Sequence, residues 1–146
     1  MSTLKKVDVS RILQKAMSIV NLAKKEILAT MDLAEEIQNP LPLEYFFLLG
    51  KKVKSGIKVT RLAFGTQVEF KKFNKACCSG ILKHKNYKCF LTSSKNYKRM
   101  LMVDKKYLIF AINKNGIKNF FYVEDARYIN KFYSYFKREQ TVATLV

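Results

Sequence analysis

Two unbroken apolar runs, residues 100–103 and 107–112, are separated only by Asp104-Lys-Lys106. Runs of four to six apolar residues bounded by charged turn residues are too short for a buried helix and fit core strands. They predict two neighbouring strands joined by a tight turn. A polar stretch, Ser93-Ser-Lys-Asn-Tyr-Lys-Arg99, leads into the first of them. A functional site, if the chain has one, is expected in that stretch.

The remaining elements can be read around this pair. Asp8 can cap a helix over 9–25, with Val9, Ile12, Leu13, Ala16, Ile19, Val20 and Ala23 at helical spacing on one face. Residues 27–31 read as a buried strand and 32–38 as a polar connection or a helical turn. Pro40 and Pro42 stop regular structure and preset a helix over 43–55, which Gly56 ends. Residues 57–64 alternate with period two, so that Ile57, Val59 and Arg61 share a face. Strand, helix, strand with a short glycine loop is a βαβ unit with parallel pairing. Residues 66–75 suit a short helix, since Thr66 and Glu69 have capping-box spacing. Residues 76–85 are the least regular part, and 87–92 alternate again as a strand. Asn113-Lys-Asn-Gly116 reads as a hairpin turn leading into a strand over 117–123. A closing helix begins at Glu124-Asp125, with Tyr128, Ile129, Phe132, Tyr133 and Phe136 as a core-facing stripe. The tail, 141–146, reads either as a frayed end or as a strand added to a partner. The pattern predicts a single α/β domain over 1–146 with a mixed sheet of six or seven strands flanked by helices.

Charge is the most uneven property of the chain. The net charge is +17, and residues 45–106 hold sixteen basic residues against two acids. Such a bias suits phosphates, nucleic acid or anionic lipid. Lysine outnumbers arginine 23 to 5, however, and Lys, Asn, Ile, Tyr and Phe together follow a compositional bias as readily as a function. No apolar run reaches the roughly 18–20 residues of a membrane-spanning helix, and the first residues lack the apolar core of a secretory signal. A cytoplasmic protein with no membrane partner is the expectation. The three cysteines, Cys77, Cys78 and Cys89, have no framework spacing. A zinc site would have to combine them with the one histidine, His84, so reduced thiols and no metal or other cofactor are expected.

This order of elements resembles one half of the phospholipase D superfamily, with its core over about 9–138. Ala23-Lys-Lys-Glu-Ile-Leu-Ala-Thr30 is similar to the lead-in to its first strand, and Lys54-Ser-Gly-Ile-Lys-Val-Thr60 to that of its second. The nearest variant is the effector-binding domain of TrmB-type archaeal transcriptional regulators. The resemblance implies a motif of His-x-Lys, four residues, and Asp, in which paired histidines attack phosphorus and donate a proton. Aligned on Asp104, Arg99 takes the Lys position and Tyr97 the His position. The trailing Gly-Ser-x-Asn falls on Ala111-Ile-Asn-Lys114. The Asp survives, the cation changes type and the imidazole is gone. A phenol with a pKa of about 10 is a poor nucleophile and proton donor at neutral pH.

A non-catalytic domain that binds an anionic ligand therefore follows, whether phosphorylated small molecule, nucleotide or nucleic acid. A regulatory role is its sharper form. Arg99, Tyr97, Lys98, Lys95, Ser93, Ser94 and Asp104 are the candidate ligand-binding residues. Arg99 has a second reading, as the partner of Asp104 or another acid. The resemblance also implies a homodimer. The alternatives are an atypical phosphodiesterase or nuclease that recruits Tyr97 or His84, and a sequence-neutral nucleic-acid binder.

Overall fold

The computed structural model describes residues 4–76 and 83–146. Eight strands form one mixed sheet in the order β1-β7-β6-β5-β2-β3-β4-β8. The strands are β1 (Lys5–Val7), β2 (Glu26–Asp32), β3 (Lys58–Phe64), β4 (Tyr87–Thr92), β5 (Met100–Val103), β6 (Tyr107–Lys114), β7 (Ile117–Val123) and β8 (Thr144–Leu145). The helices are α1 (Ile12–Asn21), α2 (Leu33–Gln38), α3 (Leu43–Lys54), α4 (Gln67–Ala76) and α5 (Ala126–Thr141). β2, β3 and β4 run parallel, and β5 joins them antiparallel, with Leu28 opposite Met102.

Period-two alternation divides the core between the two faces of the sheet. Ile27, Val59, Ala63, Leu101, Val103 and Ile109 point to the face covered by α1, α2, α3 and α4. Leu28, Leu62, Met100, Met102, Leu108 and Phe110 point to the face covered by α5. Met100, Leu101, Met102 and Val103 are all buried, which is why this strand reads as an unbroken apolar run rather than an alternating one. The α/β class and the mixed sheet agree with the sequence reading.

Local signals act as their chemistry dictates. The Glu69 N–H donates to Thr66 Oγ1 at 3.1 Å and the Thr66 N–H to Glu69 Oε1 at 2.9 Å, a reciprocal cap that settles 66–75 as helical. Asn115 and Gly116 take φ of 55° and 77° in the β6–β7 turn. Asp125 caps α5 by accepting from the Arg127 N–H at 2.8 Å.

Three expectations are corrected. The first helix stops at Asn21 rather than running to residue 25, after a 3-10 turn over Val9–Arg11. Its continuation is blocked because the N–H groups of Lys24, Lys25 and Glu26 all donate to the Asp104 carboxylate, at 2.9, 2.8 and 3.0 Å. The sheet has eight strands, not six or seven, and β1 and β8 lie outside residues 9–138. The tail is not frayed, and the strand it forms is added to its own chain: Thr144 and Leu145 pair with Leu91 and Phe90 of β4.

Asp104 and Lys105 hold φ of 56° and 52°, so the β5–β6 turn is left-handed at both positions. Partial burial of Asp104 would raise its pKa, but the hydrogen bonds from the Glu26, Lys24 and Lys25 backbones and the Lys25 charge outweigh it and hold the carboxyl below its ordinary value. A carboxylate with a depressed folded pKa stabilises the fold at neutral pH, and that contribution disappears as pH falls through the folded pKa. The D104A variant should lose about 1–3 kcal/mol at pH 7 in urea unfolding. D104N should lose less, since Asn tolerates positive φ. The gap between wild type and D104N should narrow by pH 3; a gap unchanged from pH 7 to pH 3 would refute the assigned role.

Candidate anion-binding cleft

The C-terminal ends of β2, β3 and β4 reach the same margin of the sheet as the start of β5 and the end of β6. β5 ends its pairing at Met100, opposite Phe110, while β6 runs on to Lys114 and β7 starts at Ile117. The β6–β7 hairpin therefore overhangs the sheet. With α5 it walls a cleft of about 490 Å³. Tyr97, Lys98 and Arg99 line one side, Asn113 and Lys118 the hairpin side, and Lys131 of α5 the third. Four cations and no carboxylate border this space.

The segment carrying Tyr97, Lys98 and Arg99 has no strand of its own, so side chains fix it. The buried Tyr135 hydroxyl accepts from the Lys98 N–H at 2.7 Å and donates to the Asn96 carbonyl at 2.6 Å. Burial pushes the Tyr135 phenol up to about 12, so it stays a protonated donor at any physiological pH. Thr30 Oγ1, at the end of β2, donates to the Lys98 carbonyl at 2.6 Å and accepts from the Met100 N–H at 3.0 Å. These two bonds bracket Arg99. The Asn96 amide also reaches Glu139 Oε2 at 3.3 Å.

The acid that pairs with Arg99 is Glu35 of α2, not Asp104. Arg99 Nη1 lies 3.1 Å from Glu35 Oε1, and Lys118 Nζ contacts the same oxygen. One carboxylate thus serves two cations, which leaves the cleft net positive. Tyr97 packs edge-on against Phe64, with ring centroids 5.2 Å apart. Its hydroxyl is buried and has no hydrogen-bond partner. Burial pushes the phenol well above its ordinary value; Arg99 opposes this, while Glu35, Asp32 and Glu36 add to it.

Three of the seven candidate residues, Tyr97, Lys98 and Arg99, meet at the cleft. The other four do not line it. Asp104 follows β5, five residues from Arg99 and so about 16 Å away at strand rise, where it binds the 24–26 backbone. Ser94 closes a local turn, accepting from the Asn96 N–H at 3.1 Å and donating its own N–H to Thr92 Oγ1 at 3.1 Å. Ser93 and Lys95 are exposed beside it. His84 lies before β4, at the opposite end of that strand from Thr92, and accepts from the Asn86 N–H. Cys77 and Cys78 lie outside the described residues, and Cys89 is buried in the core. Among the described residues no cluster of His, Cys, Asp or Glu could hold a metal ion, and no helix is long and apolar enough to cross a membrane. Sequence reading missed Lys118, Lys131, Glu35 and Tyr135, which come from separate elements and meet only through the overhang and the docking of α5.

The mixed sheet flanked by helices makes this an α/β domain, and solved structures give its fold as phospholipase D-like. The chain is similar to TrmBL2, an archaeal chromatin protein with a novel mode of DNA binding, at TM-score 0.75 and 19% identity over 98% of this chain and 54% of that one. It spans about half of TrmBL2. It is also similar to NucT from Helicobacter pylori, at TM-score 0.67 and 16% identity over 99% and 98% of the two chains. A third is Nuc from Salmonella typhimurium, a phospholipase D family member, at TM-score 0.64 and 11% identity over 100% and 97%. Neither a family model nor a curated protein matches the chain. The chain has the phospholipase D-like fold.

Replacing Tyr135 by Phe removes both bonds to the 96–98 segment and leaves a partly buried N–H and a carbonyl unpaired. The variant should lose about 1–3 kcal/mol of stability, and the Lys98 amide should exchange with solvent much faster while the core strands keep their protection. Unchanged exchange at Lys98 would contradict the strap.

Proposed function

We propose that this domain binds the phosphate backbone of nucleic acid at the Lys98–Arg99–Lys118–Lys131 cleft and does not cleave it. The observation that carries the reading is the cleft itself: four cations around an open groove, with a phenol where a phosphodiesterase of this fold needs an imidazole. Tyr97 would have to lose its proton to attack phosphorus, and its surroundings oppose that loss. Arg99 can offer a phosphate two parallel N–H bonds, and the lysines supply point charge. The open cleft, the net charge of +17 and the DNA binding of TrmBL2 favour a polymer over a free nucleotide. Base-reading groups are few among the lining residues, so binding should be sequence-neutral. A two-fold pair, which would set two clefts on one duplex, belongs to this proposal.

Fluorescence anisotropy with two labelled 30-base-pair duplexes of different sequence tests it. Both should bind with similar affinity, and log K should fall linearly with log salt. The K98A and K131A variants should each flatten that slope by about 0.9. Salt-independent binding, or none at 50 mM salt, would sink the proposal. Sedimentation of the same samples reads the stoichiometry. A chromogenic phosphodiester should not be hydrolysed; turnover lost in Y97F would establish the nuclease alternative instead.

Glu35 competes with the ligand for Arg99 and Lys118. The E35Q variant should bind the same duplexes up to about fivefold more tightly, as expected for releasing a half-exposed ion pair worth at most about 1 kcal/mol. Weaker binding by E35Q would mean that Glu35 positions Arg99 rather than restraining it.

A further inference from the structure

A second space lies on the other face of the sheet, beneath the N-terminal half of α1. It is a cavity of about 110 Å³, walled by apolar side chains including Leu13, Ala16, Leu41 and Phe120. That is several times the roughly 15 Å³ that one water requires. Three charged side chains border it: Arg99, which is paired with Glu35, and two that are more deeply buried. Arg61 of β3 is 3% exposed and Glu36 of α2 is 7% exposed. Arg61 Nη1 and Glu36 Oε2 are both buried without a hydrogen-bond partner. They do not pair with each other: the ion pairs among the described residues are Arg99–Glu35, Lys118–Glu35 and Arg127–Asp125. The guanidinium lies 5.6 Å from the Phe46 ring and 5.8 Å from the Phe73 ring, contacts that orient it but give the open N–H no acceptor. A buried cation and a buried carboxyl, each with an unused hydrogen-bonding atom beside one cavity, are costly unless something completes them.

We propose that this cavity binds a small α-amino or α-hydroxy carboxylic acid with a short aliphatic side chain. The ligand carboxylate would accept from Arg61 Nη1. Its α-amino or α-hydroxyl group would donate to Glu36 Oε2. Its aliphatic part would fill the apolar wall. A phosphate fits less well, because its second charge would face Glu36, and the other bordering guanidinium, Arg99, is already paired with Glu35. Burial pushes the Glu36 carboxyl up from its ordinary value, with the Arg61 and Arg99 charges and a backbone hydrogen bond from Leu41 opposing, and a donor from the ligand would add to that opposition. Arg99 borders both this cavity and the outer cleft, so an occupant lies one side chain from the proposed phosphate contacts. The assignment does not depend on nucleic-acid binding.

Thermal unfolding of the intact chain is measured against rising L-leucine, L-valine and 2-hydroxy-4-methylpentanoate, with isopentylamine and inorganic phosphate as controls. A saturable rise in Tm is expected with at least one of the three acids, and none with the amine, which lacks the carboxylate. The R61M variant should fold with an equal or higher Tm without ligand and lose the ligand-dependent rise. E36Q should keep the fold and bind about tenfold more weakly. If R61M does not fold, the acid and amine titrations of the unaltered chain decide alone. No response to any of the acids at millimolar concentration, an equal response to isopentylamine, or full binding by R61M overturns the assignment.

Discussion

The fold depends on how β5, a strand of only four residues, is seated in the middle of the sheet. Its far end is fixed by the Asp104 carboxylate, which accepts three backbone N–H groups from the start of β2. Its near end is fixed by Thr30 Oγ1, which bonds the backbone on both sides of Arg99. β2 therefore grips β5 at both ends through side chains as well as through the ladder. The antiparallel direction of β5 then brings Arg99 to the margin where three parallel strands finish. Reversing β5 would carry Arg99 to the opposite end, beside the α1–β2 turn.

The elements legible in the sequence are those whose signals are local. Thr66 and Glu69 specify their own cap, Asn115 and Gly116 their own turn, and the apolar runs of β5 and β6 their own burial. Alternation also placed Arg61 on one face with Ile57 and Val59, but did not give its burial, which follows from the helices that cover that face. β1 was not legible, since Lys5-Lys-Val7 has no strand character apart from the neighbour it pairs with, and for β8 the strand reading of the tail stood open while its partner, β4 of the same chain, did not show. The end of α1 was hidden for the same reason: the acceptor that competes for its amides is eighty residues away. Tyr97, Lys98 and Arg99 could be grouped in advance because they are contiguous, and they line one cleft. Asp104 was wrongly grouped with them because linear spacing does not say which end of a strand a residue occupies.

Charge has two different roles in this chain. The pairs at Glu35 are partly exposed, and such pairs contribute at most about 1 kcal/mol each. They tune the field of the cleft more than they hold the fold together. Arg61 and Glu36 are the reverse case, since an unpaired buried ion costs several kcal/mol even after relaxation. The double-faced core, with Leu62, Met102, Val103 and Leu108 wholly buried, is large enough to carry that strain. The fold thus tolerates a local defect that its own packing does not require.

The outermost strand on one side, β8, is two residues long, and both are exposed. Two backbone pairings with β4 and the bond from the Val146 N–H to the Cys89 carbonyl hold it in place. Peeling it away would need the loss of very little buried surface, and would uncover β4 at Cys89, Phe90 and Leu91, leaving that whole edge a bare ladder. That flank is the natural seam of the molecule, where local melting would begin.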